Sequence, residues 1–190
     1  MNYSYYIAMK GKEFDTEHAL ISFIDLEMTG LEASRHEIVE IGLVKVSQPN
    51  LDILETWEVK IKPERLSEAD PDSLKISGYN EEEWKDAISL KEGMATLSEK
   101  VKETVLAGWN IATDYAFLDA ATAKTGYPLV FHKRVLDVNS YAAGKLDYEW
   151  GSVGLFTLSK KLAITTGNHH NALSDSKACF EIYRKLKLES

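Results

Sequence analysis

The 190-residue sequence holds one cysteine, few prolines, and no apolar run near the length of about 20 residues that a membrane-spanning helix needs. A lone cysteine, Cys179, excludes an internal disulfide and leaves no thiolate cluster for zinc. Cys179 falls on an apolar stripe at helical spacing, which marks it as a small core residue rather than a nucleophile. The opening MNYSYYIAMKGKEFD lacks a basic region followed by a long apolar core, so no secretory signal is expected and the cytoplasm is the default location. Repeats, low-complexity tracts and interdomain linkers are missing too, which predicts one domain over residues 1–190 with 1–19 as a short lead. Positive charge is also in deficit. The net charge of −8 argues against a broad electrostatic grip on a polyanion. A site that gathers carboxylates around cations would add the same negative charge and neutralise it locally, so acidity does not exclude metal-dependent chemistry.

What is present begins with ALISFIDLEMTG. The β-branched and aromatic composition of residues 20–27 predicts a first strand. HEIVEIGLVKVSQPNLDILETWEVKIKP reads as two long strands, 37–47 and 51–61, with turn chemistry at Gln48, Pro49 and Asn50. Three strands in sequence with short connections favour an antiparallel meander. Residues 63–88 read as irregular with short helical patches. Apolar spacing predicts a helix from Leu90 to about Val105, a short strand in VLAGWNI, a helix over 112–125 and a fifth strand in KRVLDV. Two closing helices are expected near 155–163 and 171–187. Strands first, then alternating helix and strand, predict an α/β fold with a mixed five-stranded sheet flanked by helices.

Acids interrupt these apolar elements. Asp25 and Glu27 lie two apart in the first strand, hence on one face, with Cα atoms about 6.6 Å apart. Two carboxylates so placed near a core repel each other and are costly to bury unless a cation sits with them. The plainer alternative ends the strand near Asp25 and leaves both acids solvated. Asp114 joins Phe117, Leu118 and Ala121 on a core-facing helical stripe, at the N-terminal end where the helix dipole also favours an acid. Asp175 lies beside the stripe Ala172, Ser176, Cys179, Tyr183, Leu186 of the last helix, and His169 and His170 come just before it. Each acid occupies the end of an element that otherwise reads as buried. Strand ends and the helices packed on them can converge in an open mixed sheet. Four acids that meet would recruit cations, and oxygen-only ligation selects Mg²⁺ or Mn²⁺.

The order and spacing of these residues resemble the DEDDh 3′–5′ exonucleases, a family with a ribonuclease H-like fold that includes the proofreading subunit of DNA polymerase III, RNase T and oligoribonuclease. Its first motif, D-x-E followed by T-G, is similar to DLEMTGL, with Asp25 and Glu27. The second resembles NIATDYAFL and gives Asp114; the third resembles HNALSD and gives His170 and Asp175. The five-residue spacing selects His170 over His169. The resemblance runs from about residue 20 to 187. Two positions depart from it: Thr113 stands where the family has an aromatic, and Met28 replaces the commoner Thr, in the form associated with oligoribonucleases.

The resemblance implies that Asp25, Glu27, Asp114 and Asp175 hold two divalent metals, Mg²⁺ or Mn²⁺, about 3.5–4 Å apart around a scissile phosphate. It implies His170 as general base, since histidine titrates near neutrality, and release of nucleoside 5′-monophosphates from the 3′ end of DNA or RNA. Met28, Thr29, Gly30 and Leu31 would contact the terminal nucleotide, Gly30 allowing close approach. Asn110 and Trp109 precede the site; Trp109 would stack a base or sit in the core. His132, Lys133 and Arg134 form a small basic cluster read as a solvated loop that would touch phosphates at most. Single-stranded or 3′-terminal nucleic acid is the expected partner, no membrane is expected, and a homodimer or a polymerase partner stays open. Two rival readings keep the fold: a noncatalytic nucleic-acid-binding adaptor, and a metal-dependent phosphohydrolase acting on small nucleotides.

Overall fold

The computed structural model describes residues 15, 17–132, 134–149, 151–167 and 170–188. Most of the N-terminal lead, Lys133 and His169 lie outside the described residues. A five-stranded sheet forms the centre, in the order β3-β2-β1-β4-β5. Its first three strands, β1 (Ile21–Met28), β2 (Ile38–Val46) and β3 (Ile53–Lys60), make the expected antiparallel meander. The strands β4 (Val105–Gly108) and β5 (Leu136–Asp137) add in parallel beyond β1.

Both faces of β1 are covered, and all of ISFIDLEM except Asp25 and Met28 is buried. Alternation divides its side chains. Ile24 and Leu26 enter a core with Met94 and Leu97 of α2 (Leu90–Lys100) and Phe117 and Leu118 of α3 (Ala112–Thr125). Ile21 and Phe23 enter a second core on the other face, with Cys179, Phe180 and Tyr183 of α6 (Ala172–Leu188). The Phe23 ring packs against Phe180 and Tyr183 at centroid distances of 5.3 and 5.6 Å. Asp25 and Glu27 continue the same alternating row as Ile21 and Phe23, toward the end of the strand.

Gly42 determines how closely α6 approaches. A Cβ at this position of β2 would lie 2.1 Å from the Ala172 carbonyl carbon, so the first turn of α6 rests on bare sheet backbone. Ser176 seals the contact by donating its hydroxyl to the Gly42 carbonyl at 3.0 Å. Gly42→Ala is expected to destabilise the protein by about 3 kcal/mol or more through overpacking against backbone that cannot yield. A urea midpoint that falls at unchanged slope would show it.

Several elements differ from expectation. The strand in VLAGWNI stops at Gly108 because Asn110 adopts the left-handed conformation, φ 56°. The fifth strand shortens to two residues, and α2 ends at Lys100 rather than near Val105. The stretch between KRVLDV and residue 155, for which no element was expected, forms a helix, α4 (Val138–Leu146), capped by Asp137, whose side chain accepts the Ser140 N–H at 2.7 Å. Two shorter helices are α1 (Pro71–Ile76) in the irregular region and α5 (Leu155–Lys161) near the expected 155–163. No helix among the described residues is long and apolar enough to cross a membrane.

Candidate active site

The C-terminal end of β1, the start of α3 and the approach to α6 meet at one open cavity of about 410 Å³. Asp25, Glu27, Asp114, His170 and Asp175 line it, together with Met28, Leu31, Trp109, Asn110 and Thr113. Three stretches separated by scores of residues are brought together because β1 is flanked by β2 and β4 and covered on opposite faces by α3 and α6.

Each acid is set by its element. Asp114, in the first turn of α3, accepts the Leu26 backbone N–H at 3.0 Å, which ties the helix start to the strand between Asp25 and Glu27. Asp175 lies in the first turn of α6, and its N–H donates to the Asn171 carbonyl at 3.0 Å. His170 precedes that turn, exposed, with φ 57°. One ligand atom each of Glu27, His170 and Asp175 lies within 4.8 Å of the others.

Burial and mutual repulsion dominate the electrostatics. Burial, then the fields of Asp114, Asp175, Glu27 and Glu40, hold the Asp25 carboxyl well above the usual carboxylate range. Glu27 is pushed up to about 7 by burial and then by Asp175 and Asp114. Burial also raises Asp114 to about 7 against the lowering effect of hydrogen bonds, one of them from Leu26 N–H. The alternative in which the strand ends near Asp25 and leaves both acids solvated fails, since β1 runs on to Met28 and Glu27 keeps only 8% of its surface exposed. A cluster of oxygen donors whose own charges repel is the donor set that hard divalent cations satisfy.

The other expected contact residues divide. Met28 and Leu31 face the cavity, Leu31 with 78% of its surface exposed. Thr29 instead braces the loop from behind, its hydroxyl accepting the Glu37 N–H at 2.9 Å. Gly30 lacks a side chain because the His36 ring occupies the space, 2.5 Å from where a Cβ would sit. Asn110 is held by Asn139, which donates to its side-chain oxygen at 2.8 Å, and the next residue, Ile111, donates its N–H to Asp137 at 3.1 Å. Thus α4 braces the Trp109–Asn110 turn. His132 is buried rather than solvated; its N–H pairs with the Thr104 carbonyl and its ring nitrogen accepts the Arg134 N–H. Burial pushes the Cys179 thiol well above its ordinary value, in keeping with a core residue.

Glu40 was not anticipated. It lies opposite Glu27 on β2, and burial followed by a hydrogen bond with Glu58 pushes it up to about 8. Its signal in the sequence is an acid between Val39 and Ile41 in a strand apolar on both faces.

Comparison with known proteins bears on the family and the fold. Residues 22–183 match the RNase T family, described as "Exonuclease". The PolC-type DNA polymerase III of Caldanaerobacter subterraneus subsp. tengcongensis is 32% identical over 165 residues, which cover 85% of this chain and 11% of that protein. The PolC-type polymerase of Staphylococcus aureus is 27% identical over 181 residues, 95% of this chain and 12% of the relative. The chain thus spans about one eighth or less of these relatives' length. Among solved structures, the nuclease domain of 3′hExo, described as a DEDDh family member bound to rAMP, superposes with a TM-score of 0.77 at 19% identity, covering 93% of this chain and 95% of that one. Exonuclease I of E. coli in complex with a dT13 oligonucleotide gives 0.73 at 15% identity, covering 89% and 41%. At these identities the structural matches establish the ribonuclease H-like fold.

Proposed function

The chain belongs to the DEDDh-type 3′–5′ exonuclease family, and from that premise we propose that its cleft removes nucleoside 5′-monophosphates one at a time from nucleic-acid 3′ ends. The observation that carries this reading is the convergence of four carboxylates and one histidine, from three distant stretches, on a single open cavity. Asp25, Glu27, Asp114 and Asp175 would hold two divalent ions, Mg²⁺ or Mn²⁺, for which their donor chemistry fits. When bound, the ions would supply an activated water and positive charge opposite the leaving 3′ oxygen.

The chain's own residues carry the other steps. Asp114 ties the start of α3 to the strand between Asp25 and Glu27 by accepting the Leu26 N–H. His170 takes the proton of the attacking water at a ring nitrogen and, being exposed, passes it to solvent. Met28 and Leu31 present apolar surface at the cavity mouth, against which a terminal base would wedge. Trp109 would flank it. Similarity to a segment of PolC-type DNA polymerases favours a DNA 3′ end as the substrate and supports a polymerase partner. A neighbour described in complex with a dT13 oligonucleotide supports a single-stranded end, and one described as bound to rAMP supports a site for a nucleoside monophosphate.

Digestion of 5′-labelled single-stranded DNA and RNA in Mg²⁺ or Mn²⁺ tests the reading. The expected result is a ladder that shortens from the 3′ end, stops in EDTA, and runs faster on DNA. Cleavage of a small phosphomonoester with no shortening of either oligonucleotide would instead select a phosphohydrolase.

A further inference from the structure

Both polar atoms of the side chain that follows His170 are engaged, the nitrogen with the sheet and the oxygen with the last helix. The Asn171 Nδ2 donates to Glu40 Oε1 at 2.9 Å and to Glu58 Oε1 at 2.5 Å. Its Oδ1 accepts the Ser174 N–H at 3.0 Å and so caps the first turn of α6. The orientation of the amide is forced. Turned over, it would set its oxygen against two acids and its hydrogens against an N–H. Glu40 and Glu58 are diagonal neighbours on β2 and β3, since Glu40 pairs with Lys60 and Gly42 with Glu58. Glu40 also lies directly across from Glu27.

A helix cap needs only the side-chain oxygen. Serine or aspartate would serve it as well. The two amide hydrogens matched to two acceptors on two strands are therefore surplus to capping and call for another account. His170 supplies one, because it is exposed and holds a left-handed backbone conformation that its neighbours must impose. We propose that Asn171, clamped by Glu40 and Glu58, is a positioning residue that fixes His170 over the carboxylate cleft. The link runs from the strand carrying Glu40, opposite Glu27, through one amide to the histidine's own peptide bond. This rests on the exonuclease reading of the site.

The test compares steady-state trimming by wild type, Asn171→Ser, Glu58→Ala and Glu58→Gln, with kcat and KM separated. It adds the His170 ring Cε1–H resonance of each protein, assigned with His170→Ala. Serine keeps the cap and loses the clamp, so Asn171→Ser is expected to lower kcat by about tenfold or more with KM little changed. Glu58→Ala should fall in the same direction, and Glu58→Gln, whose amide oxygen still accepts, should recover most of that loss. The His170 resonance should shift or broaden in Asn171→Ser and Glu58→Ala. An active wild type with unchanged kcat in Asn171→Ser would reduce Asn171 to a cap and overturn the proposal, leaving the exonuclease reading intact. A wild type that trims nothing would remove that reading. The resonance then decides alone: a moved His170 signal in Asn171→Ser upholds the positioning role, and an unmoved one overturns it.

Discussion

Asp25→Asn is expected to abolish trimming and, in the metal-free protein at pH 8, to raise the melting temperature. Every influence on Asp25 raises its pKa, burial first and then four neighbouring acids, so the ionised carboxyl opposes folding when no cation is bound. The same holds for Glu27, whose rise from 4.5 to about 7 corresponds to roughly 3 kcal/mol. A carboxyl with a folded-state pKa above its unfolded value binds more protons folded than unfolded in the interval between them. Stability of the metal-free chain therefore falls as pH rises from about 4 through about 7 for Glu27 and Asp114 and on through about 8 for Glu40. Asparagine removes one charge at nearly constant shape. A gain of about 1–2 kcal/mol would raise the melting temperature by roughly 2–8 °C for a chain of this size. Scanning calorimetry in EDTA at pH 8 and pH 5 checks this, and the gain should shrink at pH 5, where the wild-type acids are protonated. Adding Mn²⁺ at pH 8 should stabilise wild type and fail to stabilise the variant. A variant that melts below wild type in EDTA at pH 8 would mean that Asp25 is held by favourable partners, and the ion-binding reading would fall.

That destabilised cluster is also why the site could be read from the sequence. Acids inside ISFIDLEM and on the core-facing stripe of ATDYAFLDAA contradict the pattern around them, and patterns are broken where chemistry requires it. The three-strand meander was legible because the β-branched and aromatic composition of the strands and the Gln48–Asn50 turn agree with each other. Helix α4 was not legible. Asn139, Ser140 and Gly144 are weak helix formers, and what holds the segment is remote: Asn139 reaches Asn110, and the Tyr148 hydroxyl donates to Asn139. Gly30 reads in the sequence as allowing close approach of a nucleotide and Gly42 carries no reading of its own, and only the fold shows what fills the space beside them, the His36 ring in one case and Ala172 backbone in the other. The clamp on Asn171 joins residues more than a hundred positions apart, beyond any local spacing rule.

His170→Ala is expected to lower kcat by about 10²–10⁴-fold while the Mn²⁺-induced rise in melting temperature survives. The result matters because the geometry admits two roles. Glu27, His170 and Asp175 each bring a ligand atom within 4.8 Å of the others, which is close enough for the histidine to be a third ligand. Its setting favours the base. His170 is exposed, whereas Glu27 is buried and Asp175 half-buried, and a ligand set of four carboxylates already matches the preference of Mg²⁺ for oxygen. A proton acceptor at the rim can discharge to solvent after each turnover, which a ligand enclosed by the ions could not do. If His170 acts as a base, its loss leaves the ions in place, and added imidazole should restore part of the missing kcat without altering the Mn²⁺ shift. If the Mn²⁺ shift vanishes together with activity, His170 is a ligand and the proton passes to another group. Activity that survives undiminished would remove it from the reaction altogether, and with it the reason for a clamp on Asn171.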